Sequence, residues 1–433
     1  MQNLSREGRL VTNCRVDGVP SAAELESAGA HWLNGSTDDV LGLASDPRVR
    51  EAFQTALKKV GLHRPVHSRL RDELEEQLGA LLGRPAGVVN DLSSALRALP
   101  TWRFAVDARS DEMVVDGTRV ASPDEAGGVL RQGSLLGLIV EAVHPREGDL
   151  APLPRYAEEC DRAHATLVTV DPLGLGALGA TGGGACQHLA ISSPFSLSLA
   201  SLGAAVPGCG AVVAGAETLV ATLKGQLDPP PAAPMAATLK ALEVLKSEPQ
   251  RRTRMFDVAQ MLLDGLGERA LDTGPAVTPW IPVWAGDALL AQRWLDALAE
   301  VAVAARAYLV PGASRLLLSV SATTSDGQVA QILEALDKTA KKLGVPLAPS
   351  SGARVEVARP GSYATAAPCS PRWLSPQRRA PSEPEDPSAP PGGLRDRVFD
   401  VVETLTWRAT NASGIPIRWT ADAVRTWFDR RRR

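Results

Sequence analysis

LLGLIVEAVHPREGDLAPLPRYAEECDRAHATLVTVDPLG, residues 135–174, is the stretch that decides the fold. LLGLIVEAV (135–143) is a continuous apolar run of strand length. PRYAEECDRAH (154–164) reads as a helix. ATLVTVDPLG (165–174) is a second buried strand, and its polar end is Asp171. Strand, helix and strand in that order make a βαβ unit, and such units build a parallel sheet covered on both faces. Downstream, GAVVAG (210–215) is a third strand and ETLVATLKGQL (217–227) the helix after it. Beyond Pro279 the pattern changes: WIPVWAG, a helix near 287–299, RLLLSVSA (315–322) and a helix near 326–342 form a smaller β-α-β-α group.

The 433 residues are 44% apolar and 22% charged, enough to bury a large core. Net charge is −3, which argues against a nucleic-acid binder. No apolar run spans a bilayer, and residues 1–20 lack the apolar core of a signal peptide. The five Cys show no CxxC spacing, so neither a metal site nor a disulfide framework is expected, and a cytoplasmic location fits. His63 and His67 stand four apart, but Pro65 between them argues against a helix that would align them on a metal. Cys160 reads as a core thiol. Eleven of the 33 prolines lie between Pro346 and Pro391, so residues 346–393 read as a disordered linker. The expected organisation is an N-terminal segment (1–32), a large α/β domain (33–275), a small C-terminal α/β domain (276–345), that linker, and a helical tail (394–433).

Seven pieces occur in an order that resembles the α-oxoamine synthases, a family of pyridoxal-phosphate (PLP) enzymes. They are LNGSTDDVLGLASDPRVREAF (33–53), SRLRDELEEQLGALLGR (68–84), EGDLAPLPRYAEECDRAHATLVTVD (147–171), LGALGATGGG (175–184 in register), FSLSLASLG (195–203), AVVAGAETLVATLK (211–224) and SRLLLSVSATTSDGQVAQILEALDK (314–338). The resemblance implies the aspartate-aminotransferase-like fold of PLP-dependent transferases: a large domain with a mainly parallel sheet, then a small α/β domain. It also implies dimers and decarboxylative condensation of an amino acid with an acyl-CoA.

The family's chemistry is eroded here. Asp171 matches the residue that pairs with the cofactor's pyridinium nitrogen, and Arg315 keeps one arginine of a substrate-binding R-L-R pattern whose second position is Leu317. The slot for the Schiff-base lysine holds Leu197, which has no amine. The preceding threonine slot holds Pro194, and the slot for the histidine that stacks on the cofactor holds Asp111. The phosphate-facing turn reads Asn90-Asp91-Leu92-Ser93-Ser94-Ala95, without its glycine, and AAVPGCG (204–210) reads as an insertion after the lysine segment. Asp171 and Arg315 are therefore read as remnants, no catalytic residue or metal ligand is expected, and no covalent cofactor is expected.

The expected function is a catalytically degenerate subunit that scaffolds, regulates or binds, as a homodimer or as the heterodimer partner of an active acyltransferase. The alternative is an active PLP enzyme whose amine comes from a relocated lysine, for example Lys224 or Lys240; only eight of the 46 bases are Lys. A third reading is an adaptor that works through the tail. LRDRVFDVVETLTWR (394–408) and WTADAVRTWFDRRRR (419–433) both carry amphipathic helical patterns and need a surface to cover them: the body, a partner protein or a membrane.

Overall fold

The computed structural model describes residues 9–61, 68–110, 117–191, 193, 196–347 and 357–359. The chain opens with β1 (Arg9–Thr12), β2 (Gly18–Ser21), β3 (Glu24–Ser27) and β4 (Ala30–Asn34). Helices α1 (Pro47–Val60) and α2 (Arg69–Leu82) follow. The carboxylate of Asp46 and the hydroxyl of Ser68 accept first-turn N–H groups, and Pro47 stands at the first position of α1, where no N–H is needed.

Next come β5 (Ala86–Val89), α3 (Leu92–Arg97), β6 (Phe104–Asp107), β7 (Thr118–Val120), α4 (Pro123–Arg131) and β8 (Gly137–Glu141). A short ladder of β9 (Val143–His144) and β10 (Asp149–Leu150) leads into α5 (Leu153–Arg162) and β11 (Thr166–Asp171). Then come α6 (Gly184–His188), β12 (Leu197–Ser201), β13 (Ala211–Ala214), α7 (Glu217–Gln226), α8 (Ala232–Ser247) and α9 (Gln250–Glu268). The seven main strands lie in the order β5-β13-β12-β11-β8-β6-β7.

Neighbouring strands from β12 to β7 pair in parallel, whereas β13 runs antiparallel to both β12 and β5. The reversal has a plain cause. Only residues 202–210 join β12 to β13, and a parallel crossover needs a dozen residues or more. Segment 204–210, expected as an insertion, is this connection.

One sheet face buries Val106, Ile139, Val168, Val170, Leu197 and Val213 against Leu96 of α3 and Val220 and Leu223 of α7. The other buries Ala105, Leu138, Val140, Leu167 and Val212 with α2, α5 and α8. Strand alternation thus sends residues of one strand into two separate cores.

The small domain holds β14 (Ile281–Gly286), α10 (Ala288–Ala299), β15 (Val303–Ala304), β16 (Arg306–Leu309), β17 (Ser314–Leu318) and α11 (Asp326–Leu343). Its sheet, β1-β16-β17-β14, is antiparallel throughout. The N-terminal segment is therefore not separate: β1 pairs with β16, β4 pairs with β15, and Asn13 donates to the carbonyls of Leu295 and Val303.

The proline-rich stretch also departs from expectation where it is described. Val357 and Ala358 are buried, their N–H groups donate to Gln260 Oε1 (2.7 Å) and the Val277 carbonyl (2.6 Å), and Arg359 pairs with Asp257. The remainder of the linker, both tail patterns, His63, His67, Asp111 and Pro194 lie outside the described residues. Among the described residues no helix is long and apolar enough to cross a membrane.

Candidate functional site at the carboxyl edge of the sheet

Ligands of open α/β sheets bind beyond the carboxyl ends of the parallel strands, where the strand order reverses. Here the chain steps from β6 outward to β7, then returns to the other side of β6 with β8. The crevice belongs between the ends of β6 and β8, extending across the ends of β11 and β12.

A buried charge network fills the first part. His144 Nδ1 lies 3.0 Å from Asp149 Oδ1, and its Nε2 lies 3.7 Å from Asp107 Oδ2, a contact between charges rather than a hydrogen bond. Arg109 Nη2 reaches both Asp149 oxygens, at 2.6 and 2.8 Å. The Tyr156 hydroxyl donates to Asp107 Oδ1 (3.1 Å), and the Glu141 N–H donates to Ser110 Oγ (2.8 Å). Burial and the nearby Arg109 cation push the His144 pKa down, but the two carboxylates outweigh them and raise it to about 9. Its imidazolium and the Arg109 guanidinium face the two aspartates, with the buried carboxyl of Glu147 nearby.

Arg315, expected as a substrate remnant, is fully buried. It pairs with Glu147 (3.1 Å) and donates to the Arg146 carbonyl (3.0 Å), so it ties β17 of the small domain to the turn between β9 and β10. Arg146 in turn stacks over Tyr308, 3.9 Å from the ring centre.

At the end of β11, Asp171 is also buried. Its Oδ1 accepts from the N–H groups of Leu173 (3.3 Å) and Gly174 (2.5 Å), and its Oδ2 from that of Ala185 (2.9 Å). Burial raises its pKa against the pull of those donors. Gly184 has a φ of 81°, and a Cβ there would stand 2.6 Å from Asp171 Oδ2, so only glycine admits this closure. The carboxylate anchors the loop 173–185.

That loop packs on the β12–β13 connection. Leu175, Ala177, Leu178, Leu202, Ala205 and Val206 are all buried, and a Cβ on Gly176 would meet Val206 Cγ2 at 2.5 Å. Cavities of about 450–500 Å³ are lined by α9 and α11 and by the α2–α7 edge of the sheet.

No family model matches the chain. Curated relatives do. The 8-amino-7-oxononanoate synthase of Nitrosococcus oceani is 30% identical over 358 residues, 74% of this chain and 95% of that protein. That of Pseudomonas putida is 31% identical over 352 residues, 73% of this chain and 90% of its own. This chain belongs to the α-oxoamine synthase family. Solved structures agree on the fold. Serine palmitoyltransferase from S. paucimobilis, solved with a PLP-myriocin aldimine, superposes with a TM-score of 0.70 at 18% identity, covering 76% of this chain and 93% of that one. The 8-amino-7-oxononanoate synthase of Francisella tularensis gives 0.62 at 19% identity, covering 72% and 99%.

None of the chain's eight lysines lies at the carboxyl edge of the sheet, so the residues there offer no amine to a covalently held PLP. Register places Leu197 beside Val168 and Asp171 beside Ala200. Leu197 therefore starts β12 about 10 Å before the crevice and on the opposite sheet face from Asp171. The connection 202–210 follows the end of β12, and it too contains no lysine.

All eight lysines lie on α1, α7, α8 and α11, exposed or half-buried. Lys224 runs along edge strand β5 and pairs with Glu75 of α2; β5 is three strands from β11, about 14 Å away. Lys240 pairs with Glu243 on its own helix. In the turn 90–95, which the resemblance would set against a phosphate, Asp91 Oδ1 takes the Ser94 N–H (2.5 Å) and Oδ2 takes its hydroxyl (2.6 Å). A carboxylate there repels a phosphate and has claimed its donor.

The His144–Arg109 network lies outside the candidate residues that the sequence offered. The available signal was polar residues following successive buried strands, with His144 directly after the run 135–143.

Proposed function

We propose that this member of the α-oxoamine synthase family is a catalytically degenerate subunit. It acts as a scaffold, regulator or binding partner, in a heterodimer with an active PLP-dependent acyl-CoA:amino-acid C-acyltransferase or in a homodimer. The observation that carries the reading is the lack of any amine at the carboxyl edge of the sheet, where Leu175, Leu178, Ala205 and Val206 pack together and charges fill the gap between β6 and β8. An open site with an activated lysine is what PLP catalysis requires of a protein. The kinship with named synthases supports the acyltransferase class of the complex in which the chain would serve.

The test is an absorbance scan of the purified full chain with PLP, then borohydride reduction and intact mass. The expected result is no visible band and no added mass. A visible band with one reduced phosphopyridoxyl group on a single lysine would overturn the proposal in favour of an enzyme with a relocated lysine. A partner of the active class that co-purifies and loses activity without this chain is the expected positive result.

A further inference from the structure

We propose that the groove between α9 and α11 is the docking site for this chain's own C-terminal segment, residues 419–433. The groove encloses about 480 Å³. Asp257, Asp264 and Glu268 line its α9 side together with Arg269, Met261 and Leu333 add apolar surface, and Arg359 stands at its rim, which leaves one carboxylate in excess of the two arginines.

Three observations select the occupant. First, the chain is already pinned there. The backbone of Val357 and Ala358 is held by Gln260 and Val277, and Arg359 Nη2 lies 2.7 Å from Asp257 Oδ1. Everything beyond Arg359 is thus tethered at the groove, which turns docking into an intramolecular step at high effective concentration. Second, the tether is long enough. Residues 360–418 separate the pin from the segment, and α9 is about 28 Å long. Third, the chemistry matches. WTADAVRTWFDRRRR has five Arg against two Asp, with Val424, Trp427 and Phe428 at helical spacing. Arg359 on Asp257 already shows an arginine of this C-terminal region binding that wall. The earlier pattern, 394–408, carries three Arg against three acids and offers no such complementarity. An amphipathic segment laid in a groove between two helices is a recurring mode of recognition.

The test uses the full chain with a photoreactive benzoylphenylalanine at position 428. The expected crosslink is within one chain, to peptides from 257–269 or 330–333. In parallel, amide exchange of 257–269 is compared between the native chain and the double variant Trp427→Ala/Phe428→Ala. The expected exchange is about tenfold faster in the variant, and faster also in the native chain at high salt, because the contact is partly ionic. A crosslink between two chains, a crosslink elsewhere on the body, or equal exchange in both proteins would overturn the proposal. Sedimentation with anionic phosphatidylserine vesicles, with α9 exchange unaltered by Trp427→Ala/Phe428→Ala, would assign the segment to a membrane surface instead.

Discussion

His144 offers the sharpest test of the network at the switch point. Its pKa rises from the ordinary 6.5 to about 9 because Asp107 and Asp149 flank it in a buried setting. That rise corresponds to about 3 kcal/mol of stability from the proton that the folded chain holds. The sign follows from the direction. A raised folded-state pKa contributes fully below the unfolded value near 6.5, and the contribution is lost as pH climbs through 9. The group is buried, so salt screens little of it.

His144→Gln removes the titration and takes the imidazolium away from Asp107 and Asp149. For a folded body of roughly 340 residues, 3 kcal/mol is about 4 °C in Tm. Scanning calorimetry at pH 6, 7, 8 and 9 should place the variant about 4 °C below the native chain at pH 6, with the gap closing towards pH 9. Burial also raises the Cys160 thiol, which lowers stability at high pH, but that effect is common to both chains and cancels in the difference. A gap that stays constant from pH 6 to 9 would refute the charged-imidazole account.

Other expectations follow from the same geometry. Leu197→Lys should not create a PLP-binding lysine, since its side chain enters the core against Val168; the visible spectrum should stay blank while denaturation shows a loss of several kcal/mol. Glu147→Ala should destabilise by about 3–5 kcal/mol because it strands a buried guanidinium, whereas replacing both partners, Glu147→Leu with Arg315→Met, should cost far less in urea melts. Asp171→Ala should leave three backbone N–H groups without their acceptor and cost about 3 kcal/mol or more, with faster amide exchange in loop 173–185. Lys224→Met should change stability by less than about 1 kcal/mol, because its amine is partly exposed and the Arg71–Glu75 pair still holds the Val88 N–H and carbonyl at the sheet edge.

The run 135–174 became β8, α5 and β11 because each piece is locally consistent: a buried strand, an amphipathic helix and a second buried strand. Helix ends were legible for the same reason. Ser325 and Gln328 form a capping box, and Gly344 closes α11 in a left-handed conformation, both from residues near in sequence. The reading failed where the partner lay far away. β1 falls in the expected N-terminal segment, yet it completes a sheet with strands about 300 residues later. Val357 and Ala358 sat in a proline-rich stretch, yet Gln260 and Val277 hold them. The motif places Leu197 in the lysine slot, but only the pairing of β11 with β12 gives its position along the strand and its sheet face.

The sequence by itself determined the family, the β8-α5-β11 unit, and the lack of a lysine in the segment from Phe195 to Gly210. These depend on residue identity and local periodicity, which the chain carries openly. Only the tertiary structure decided that Leu197 and Asp171 point to opposite faces, that Asp171 is spent on its own loop, and that His144, Arg109, Asp107 and Asp149 neutralise one another. A one-residue change of strand register exchanges the two faces of a sheet, and burial sets which charges meet in low dielectric. Both are properties of contacts between distant segments, and no single segment encodes them.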